Sequence, residues 1–392
     1  MRTTSDAGRL SAAARTAAVL VGMLGAWGCG KEAAGPQHFA ASKVAAGAQH
    51  TCSLTTTGGL LHCWGWNRYG QLGLGSADST PHGAPAAVTG GLAFTALSAG
   101  GYHTCGVTGA GSAWCWGYGL RGQLGDGATG DTGRPVAVSG GASYAAVSAG
   151  LLHTCALAGG AAQCWGYNVY GALGIGTADT TPHATPAAVL GGHTFAAIGA
   201  GAYHSCGLTA AGAAWCWGYN VDGQLGNDTT ANSAVPVAVA GGLTFASLSV
   251  GGYHTCGLTA GGIAYCWGAN GYGQLGSGTT AASTAPVAVA GGLTFASLSA
   301  GLLHTCGLTT GGAAWCWGYD YAGQLGNGSF NDDSVPTAVL TTLSFATVSA
   351  GGYHTCATTS AGAVYCWGYD DFGQLGDGST SASPFPVTAS SP

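Results

Sequence analysis

A His-[Thr/Ser]-Cys triplet occurs seven times in this chain, beginning at His50, His103, His153, His204, His254, His304 and His354. The steps between copies are 50 to 53 residues. A Cys-Trp-Gly triplet follows each copy, and a Gly-Gln-Leu-Gly turn follows six of them; the third reads Gly-Ala-Leu-Gly from Gly171. A fixed period of this length makes each unit a supersecondary module that buries its faces only against its neighbours. The repeat therefore overrides the length prior, under which 392 residues would be two or three domains.

Each unit carries four short apolar segments. In one unit they are "PVAVA" (236–240), "FASLSVG" (245–251), "HTCGLT" (254–259) and "IAYCWG" (263–268). They are rich in β-branched and aromatic residues and are fenced by Gly, Ser, Asn or Pro, which is the strand signature. None has the length or period of a helix. Four strands in each of seven units predict an all-β fold, a seven-bladed β-propeller spanning residues 39–392. The first unit opens at "FAASKVAAG" (39–47) without a leading Pro-Val strand, and an extra "FPVTA" (385–389) follows the last. The C-terminal strand is therefore expected to complete the first blade and close the ring.

The fifteen cysteines fall into seven pairs plus Cys29. The pairs are Cys52–Cys63, Cys105–Cys115, Cys155–Cys164, Cys206–Cys216, Cys256–Cys266, Cys306–Cys316 and Cys356–Cys366. Each pair spans one turn between adjacent strands, where opposed Cα atoms come within disulfide range. Structural zinc wants four ligands, commonly closely spaced Cys pairs, and a spacing of nine to eleven is not that pattern. Disulfides are thus preferred over buried thiols and over metal. The repeat histidines are expected to be structural, bonding a backbone carbonyl or packing beside the bridge.

Residues 1–28 read as a secretory signal, with Arg2, Arg9 and Arg15 ahead of the apolar "AAVLVGMLGAWG" (17–28). That run is too short to span a bilayer. With Ala26, Gly28 and Cys29 it resembles a bacterial lipobox, which implies lipidation at Cys29 and a tether over 29–38. Lipidation would account for the odd cysteine. The expected location is the bacterial cell envelope as a lipoprotein, with full secretion as the alternative, and contact with the membrane only through the lipid anchor.

Charged residues make up 6% of the chain, and no Lys or Arg follows Arg134. Nucleic-acid affinity rests on basic residues that neutralise phosphates, so no nucleic-acid partner is expected. Catalysis also finds little to work with. Glu occurs once, at Glu32, and no nucleophile–base–orienter set is readable. His82 and His183 share matching "TPH" loops, which is read as common ancestry. The Asp-rich loops at 126–131 and 327–334 do not match the spaced EF-hand ligand set and are read as solvated turns. No catalytic residue, cofactor or metal is predicted, and a monomer is expected.

The stretch "GGYHTCGLTAGGIAYCWGANGYGQLGSG" (251–278) closely resembles the regulator of chromosome condensation repeat. The resemblance runs through all seven units and implies a seven-bladed propeller. The family's founding member is a nucleotide-exchange factor for a small GTPase on chromatin. The matching residues build blades, and fold does not carry function. The paired cysteines and the signal segment suit an exported bacterial version instead; bacterial relatives include secreted binders such as a β-lactamase-inhibitory protein.

Recognition would then rest on positions that change from unit to unit. The quartets after each Trp-Gly read "WNRY" (66–69), "YGLR" (118–121), "YNVY" (167–170), "YNVD" (219–222), "ANGY" (269–272), "YDYA" (319–322) and "YDDF" (369–372). Equivalent loops ring one face of a closed propeller, and aromatics and Arg are the usual interface anchors. The candidate partner-binding residues are Arg68, Tyr69, Arg121, Tyr170, Asp222, Tyr272, Tyr321, Asp371 and Phe372. Asp320, Asp370 and Asp371 add acid in neighbouring units. The expected function is a non-enzymatic scaffold that binds a protein or glycan. The alternatives are an exchange-factor-like regulator, or a structural surface protein without a defined ligand.

Overall fold

The structure, a computed structural model, describes residues 40–391, so the signal segment, the tether and Cys29 lie outside the described residues. Seven four-stranded antiparallel sheets follow one another along the chain. In the first blade the strands are Ala41–Ala46, His50–Thr55, Leu61–Gly65 and His82–Ala87, running from the axis outwards. No helix occurs among the described residues.

Each blade orders its strands by their chemistry. The innermost strand ends in small residues such as Ala46-Gly47, Ala99-Gly100 and Ala300-Gly301, which line a narrow axial cavity of about 90 Å³. Here backbone meets backbone. Ala48, Gly101, Leu151, Ala202, Gly252, Leu302 and Gly352 each donate an N–H to a glycine carbonyl of the next blade, at 2.9–3.2 Å. A Cβ on Gly251 would stand 2.6 Å from the Gly301 oxygen, so glycine is required by this approach.

The second and third strands carry the cysteines in direct register, for example Cys256↔Cys266, with Cα atoms 4.1 Å apart. All seven pairs are disulfides. The spacing of nine in the third blade reflects a two-residue turn, Gly159-Gly160, with φ positive at both residues (57° and 84°). A two-residue loop with that twist matches the twist of its strands, and glycine adopts it without steric cost.

The tryptophan after each second cysteine is fully buried in all seven blades. It packs backwards: Trp317 lies in one cluster with Cys256, Cys266 and Leu275 of the preceding blade. Each inter-blade core is thus a disulfide, a leucine from the Gly-Gln-Leu-Gly turn and the next blade's indole. The outermost strands carry Pro85, Pro135, Pro186, Pro236, Pro286, Pro336 and Pro386. Proline removes a donor from an exposed sheet edge and so blunts it against pairing with other chains.

The expected closure by a shared blade does not occur. Ser383–Thr388 pairs with the third strand of its own blade, Val364–Gly368, and the first blade is completed by its own His82–Ala87. The proline-bearing strand ends a unit rather than beginning one, so seven complete blades already exist between the ends. The seam between last and first blade is held like every other interface. Gly352 donates to the Gly47 carbonyl at 2.9 Å, Gly378 to Gly83 at 2.8 Å, and the Trp64 indole to the Gln374 carbonyl at 2.9 Å.

Candidate functional site

The histidines and cysteines that invite a chemical reading are absorbed by the architecture. Each repeat histidine reaches forward to the hydroxyl at the second position of the next triplet. The links are His50–Thr104, His103–Thr154, His153–Ser205, His204–Thr255, His254–Thr305, His304–Thr355 and His354–Thr51, at 2.7–2.9 Å. Each hydroxyl in turn donates to a main-chain carbonyl of the preceding blade's turn, as Thr305 does to Gln274 at 2.9 Å. A hydroxyl has one hydrogen, so it must accept from the imidazole, which places the ring proton on Nε2. The ring of seven bonds therefore has a defined direction. Burial drives these imidazoles far down, to about 3 for His50 and His254 and about 4 for His153. They are neutral and packed, and their expected backbone-carbonyl partner is replaced by a neighbouring hydroxyl.

The same turn carbonyl accepts a second bond from the next blade's indole N–H in six of seven cases, as from Trp317 to Gln274 at 3.0 Å. Because the acceptor is main chain, Ala172 serves in the third blade where glutamine stands elsewhere. The glutamine side chain has a different task. Its Oε1 accepts from the backbone N–H of the fourth quartet residue, Tyr69, Arg121, Asp222, Tyr272, Ala322 or Phe372, at 2.9–3.0 Å. The variable loops are thereby held rigidly from below.

Above them lies a belt of aromatic rings on one face. Tyr69 packs on Tyr118 with centroids 4.8 Å apart, Tyr170 on Tyr219 at 4.7 Å and Tyr272 on Tyr319 at 4.7 Å. Phe372 meets Trp66 at 5.5 Å across the seam, and the Arg121 guanidinium lies 5.0 Å over the Tyr167 ring. At five of the seven interfaces the fourth residue of a quartet thus covers the first residue of the next. Tyr102, Tyr203, Tyr253 and Tyr353 add an inner row, with contacts such as Tyr203–Tyr253 at 6.4 Å. The quartets alone do not reveal this row. Its signal is the residue directly before each histidine, which turns towards the mouth because the histidine turns into the blade.

Exposure separates the candidates. Tyr321 is 77% exposed and Tyr272 41%; Arg68 and Asp371 are also exposed, whereas Tyr69, Arg121, Tyr170, Asp222 and Phe372 are half-buried in the belt. Asp371 accepts the Tyr369 hydroxyl at 2.7 Å. Asp320 and Asp370 do not face outwards. Both are fully buried at the slot filled by Asn67, Asn168, Asn220 and Asn270 elsewhere, and their Oδ1 atoms accept from Leu325 and Leu375 at 2.8 Å. Burial pushes both carboxyls up to about 7. The Asp-rich loops are organised by caps: Asp131 accepts from the Gly119 N–H and Asp332 from the Asp320 N–H. His82 and His183 pair with Asp78 and Asp179 at 3.0 Å, at equivalent places in the first and third blades.

A family model described as an RCC1-like domain matches residues 18–346. Two models of the regulator of chromosome condensation (RCC1) repeat match 345–374 and 361–392. Among solved structures, human WBSCR16 is similar at 22% identity over 85% of this chain and 94% of its own, with a TM-score of 0.77. Prp20p from Saccharomyces cerevisiae, described for its binding to Gsp1p and histones, is similar at 21% identity over 86% and 87%, with a TM-score of 0.76. The ectodomain of the Physcomitrella patens receptor kinase CR4 is similar at 25% identity over 84% and 73%, with a TM-score of 0.54. No curated protein sequence matches the chain.

Proposed function

This chain belongs to the RCC1-like family of repeat propellers, and on that premise we propose that it is a non-enzymatic binding scaffold of the bacterial cell envelope, recognising a protein or glycan with its aromatic face. The observation that carries this is the belt itself. Aromatic side chains from the blades converge at one mouth, on loops whose backbones are bonded in place. Rigid, amphipathic rings offer contact area at little entropic cost on binding. The seven disulfides fit an oxidising compartment. Residues 1–28 as an export signal and Cys29 as a lipidation site complete the proposal.

The test is capture of envelope protein and glycan fractions on the native protein and on a Tyr321→Ala/Tyr272→Ala variant. Loss of specific ligands in the variant is expected; retention of every interaction would overturn the reading. Exchange activity, the competing role, requires cytoplasmic residence, so a mature N-terminus at or near Cys29 excludes it. A purely structural surface protein would show no specific ligand with either form.

A further inference from the structure

We infer that the cleft between the sixth and seventh blades takes a quaternary ammonium group. The inference rests on the aromatic face being the ligand-binding face and names what one part of it recognises. The cleft holds about 210 Å³ and is lined by Gln49, Tyr319, Tyr321, Ala322, Tyr353 and Tyr369.

The repeat provides an internal comparison. At five of the seven interfaces the fourth quartet residue lays a ring or a guanidinium against the first ring of the next blade. Between the fourth and fifth blades the pair is Asp222 and Ala269, so no ring is present to cover. Only between the sixth and seventh does a ring, Tyr369, meet a residue too small to cover it, Ala322. The equivalent pair two interfaces from the start of the ring is Arg121 over Tyr167, where the chain supplies its own cation. Ala322 stands where that arginine stands, and Tyr369 where its tyrosine stands.

The shape and the field agree with a cation. Tyr353 is set at 70° to Tyr319 and 69° to Tyr369, with centroids 6.4 and 6.2 Å apart. Tyr321 lies nearly parallel to Tyr319, at 12°. Walls at right angles enclose a compact, rounded group, whereas a sugar ring stacks on one flat platform. Ring faces attract a cation within about 6 Å of a centroid. No Lys or Arg follows Arg134, while Asp222, Asp228, Asp332, Asp333, Asp371 and Asp377 belong to this half of the ring. Asp371 accepts the Tyr369 hydroxyl, which draws electron density into that ring.

The experiment is titration calorimetry of the folded protein with choline, phosphocholine, a trimethyllysine peptide and the neutral choline isostere 3,3-dimethylbutan-1-ol. At least one ammonium probe is expected to bind about tenfold more tightly than the isostere. Ala322→Arg, which places a tethered cation in the cleft, is expected to abolish that binding with an unchanged unfolding midpoint; Tyr369→Leu is expected to weaken it about tenfold. Preference for phosphocholine would point to a headgroup or decorated glycan, and preference for the peptide to a modified protein; either supports the inference. Equal binding of the isostere, undiminished binding by Ala322→Arg, or no binding of any probe at about 10 mM would overturn it. Failure of the probes with ligand capture on the aromatic face retained would leave the binding-scaffold reading standing.

Discussion

At the scale of single residues, position within the repeat decides what a side chain does. Asp370 shows this. Its slot is Asn in four other blades, where the amide donates to loop carbonyls, as Asn270 does to Thr279 and Ala281 at 2.9 Å. An ionised carboxylate has no hydrogen to donate there. Burial pushes the Asp370 carboxyl up to about 7, so its neutral form fits the fold better. Stability from this group is present at low pH and lost as pH rises through about 7. Asp370→Asn should therefore stabilise the fold at pH 8 by on the order of 1–3 kcal/mol and raise the unfolding midpoint accordingly. Thermal unfolding at pH 8 measures it, and a lower midpoint would refute the account.

At the scale of elements, the hairpin of second and third strands is the unit of stability. Its disulfide closes a loop of ten residues in most blades, and it is also the floor on which the next blade's tryptophan rests. Removing both sulfurs of one blade, as Cys256→Ala with Cys266→Ala, should cost about 3 kcal/mol through loop entropy. Lost packing under Trp317 should add to that figure. Denaturant unfolding of the double variant would show it, and a cost under about 1 kcal/mol would mean that the bridge is redundant in the assembled ring. The hairpins were legible in the sequence because their partners are about ten residues apart. The outermost strands were legible as strands but not in their assignment to blades. A fifty-residue period has no marked beginning, and only the pairing of His82–Ala87 with Leu61–Gly65 reveals where a unit ends.

At the scale of the whole molecule, the ring is closed by a circuit of neutral histidines, and that makes it sensitive to acid. The seven imidazoles titrate near 3 to 4 when folded, against an ordinary value near 6.5. Their folded values are depressed, so the unfolded chain binds more protons between these limits. Stability is full above about pH 6.5 and falls as pH drops towards 4. Each imidazole contributes about 1.4 kcal/mol per pH unit across that window. Asp320 and Asp370, whose carboxyls are pushed up to about 7, act in the opposite sense. Seven groups outweigh two, so the net effect is a loss of stability as pH falls below about 6.5. Denaturation midpoints measured from pH 7.5 to 4.5 should fall steeply and together; a flat profile would mean that the histidines are not buried as neutral groups.

The aromatic face divides along the same line between near and distant contacts. Its loops were identifiable from the quartets that vary between repeats, and Tyr272, Tyr321 and Phe372 do lie on that face. The inner row around Tyr353 was not identified. Nor was the burial of Asp320 and Asp370, since nothing local distinguishes a residue over the mouth from one beneath a loop. The sequence by itself determined the number of blades, the count of four strands in each and the pairing of the fourteen repeat cysteines, because periodicity and hairpin pairing are short-range. Only the tertiary structure decided how the ring closes, which hydroxyl each histidine reaches and which tyrosine is left uncovered. Those contacts join residues about fifty positions apart, or some three hundred at the seam, and they exist only once the blades stand side by side.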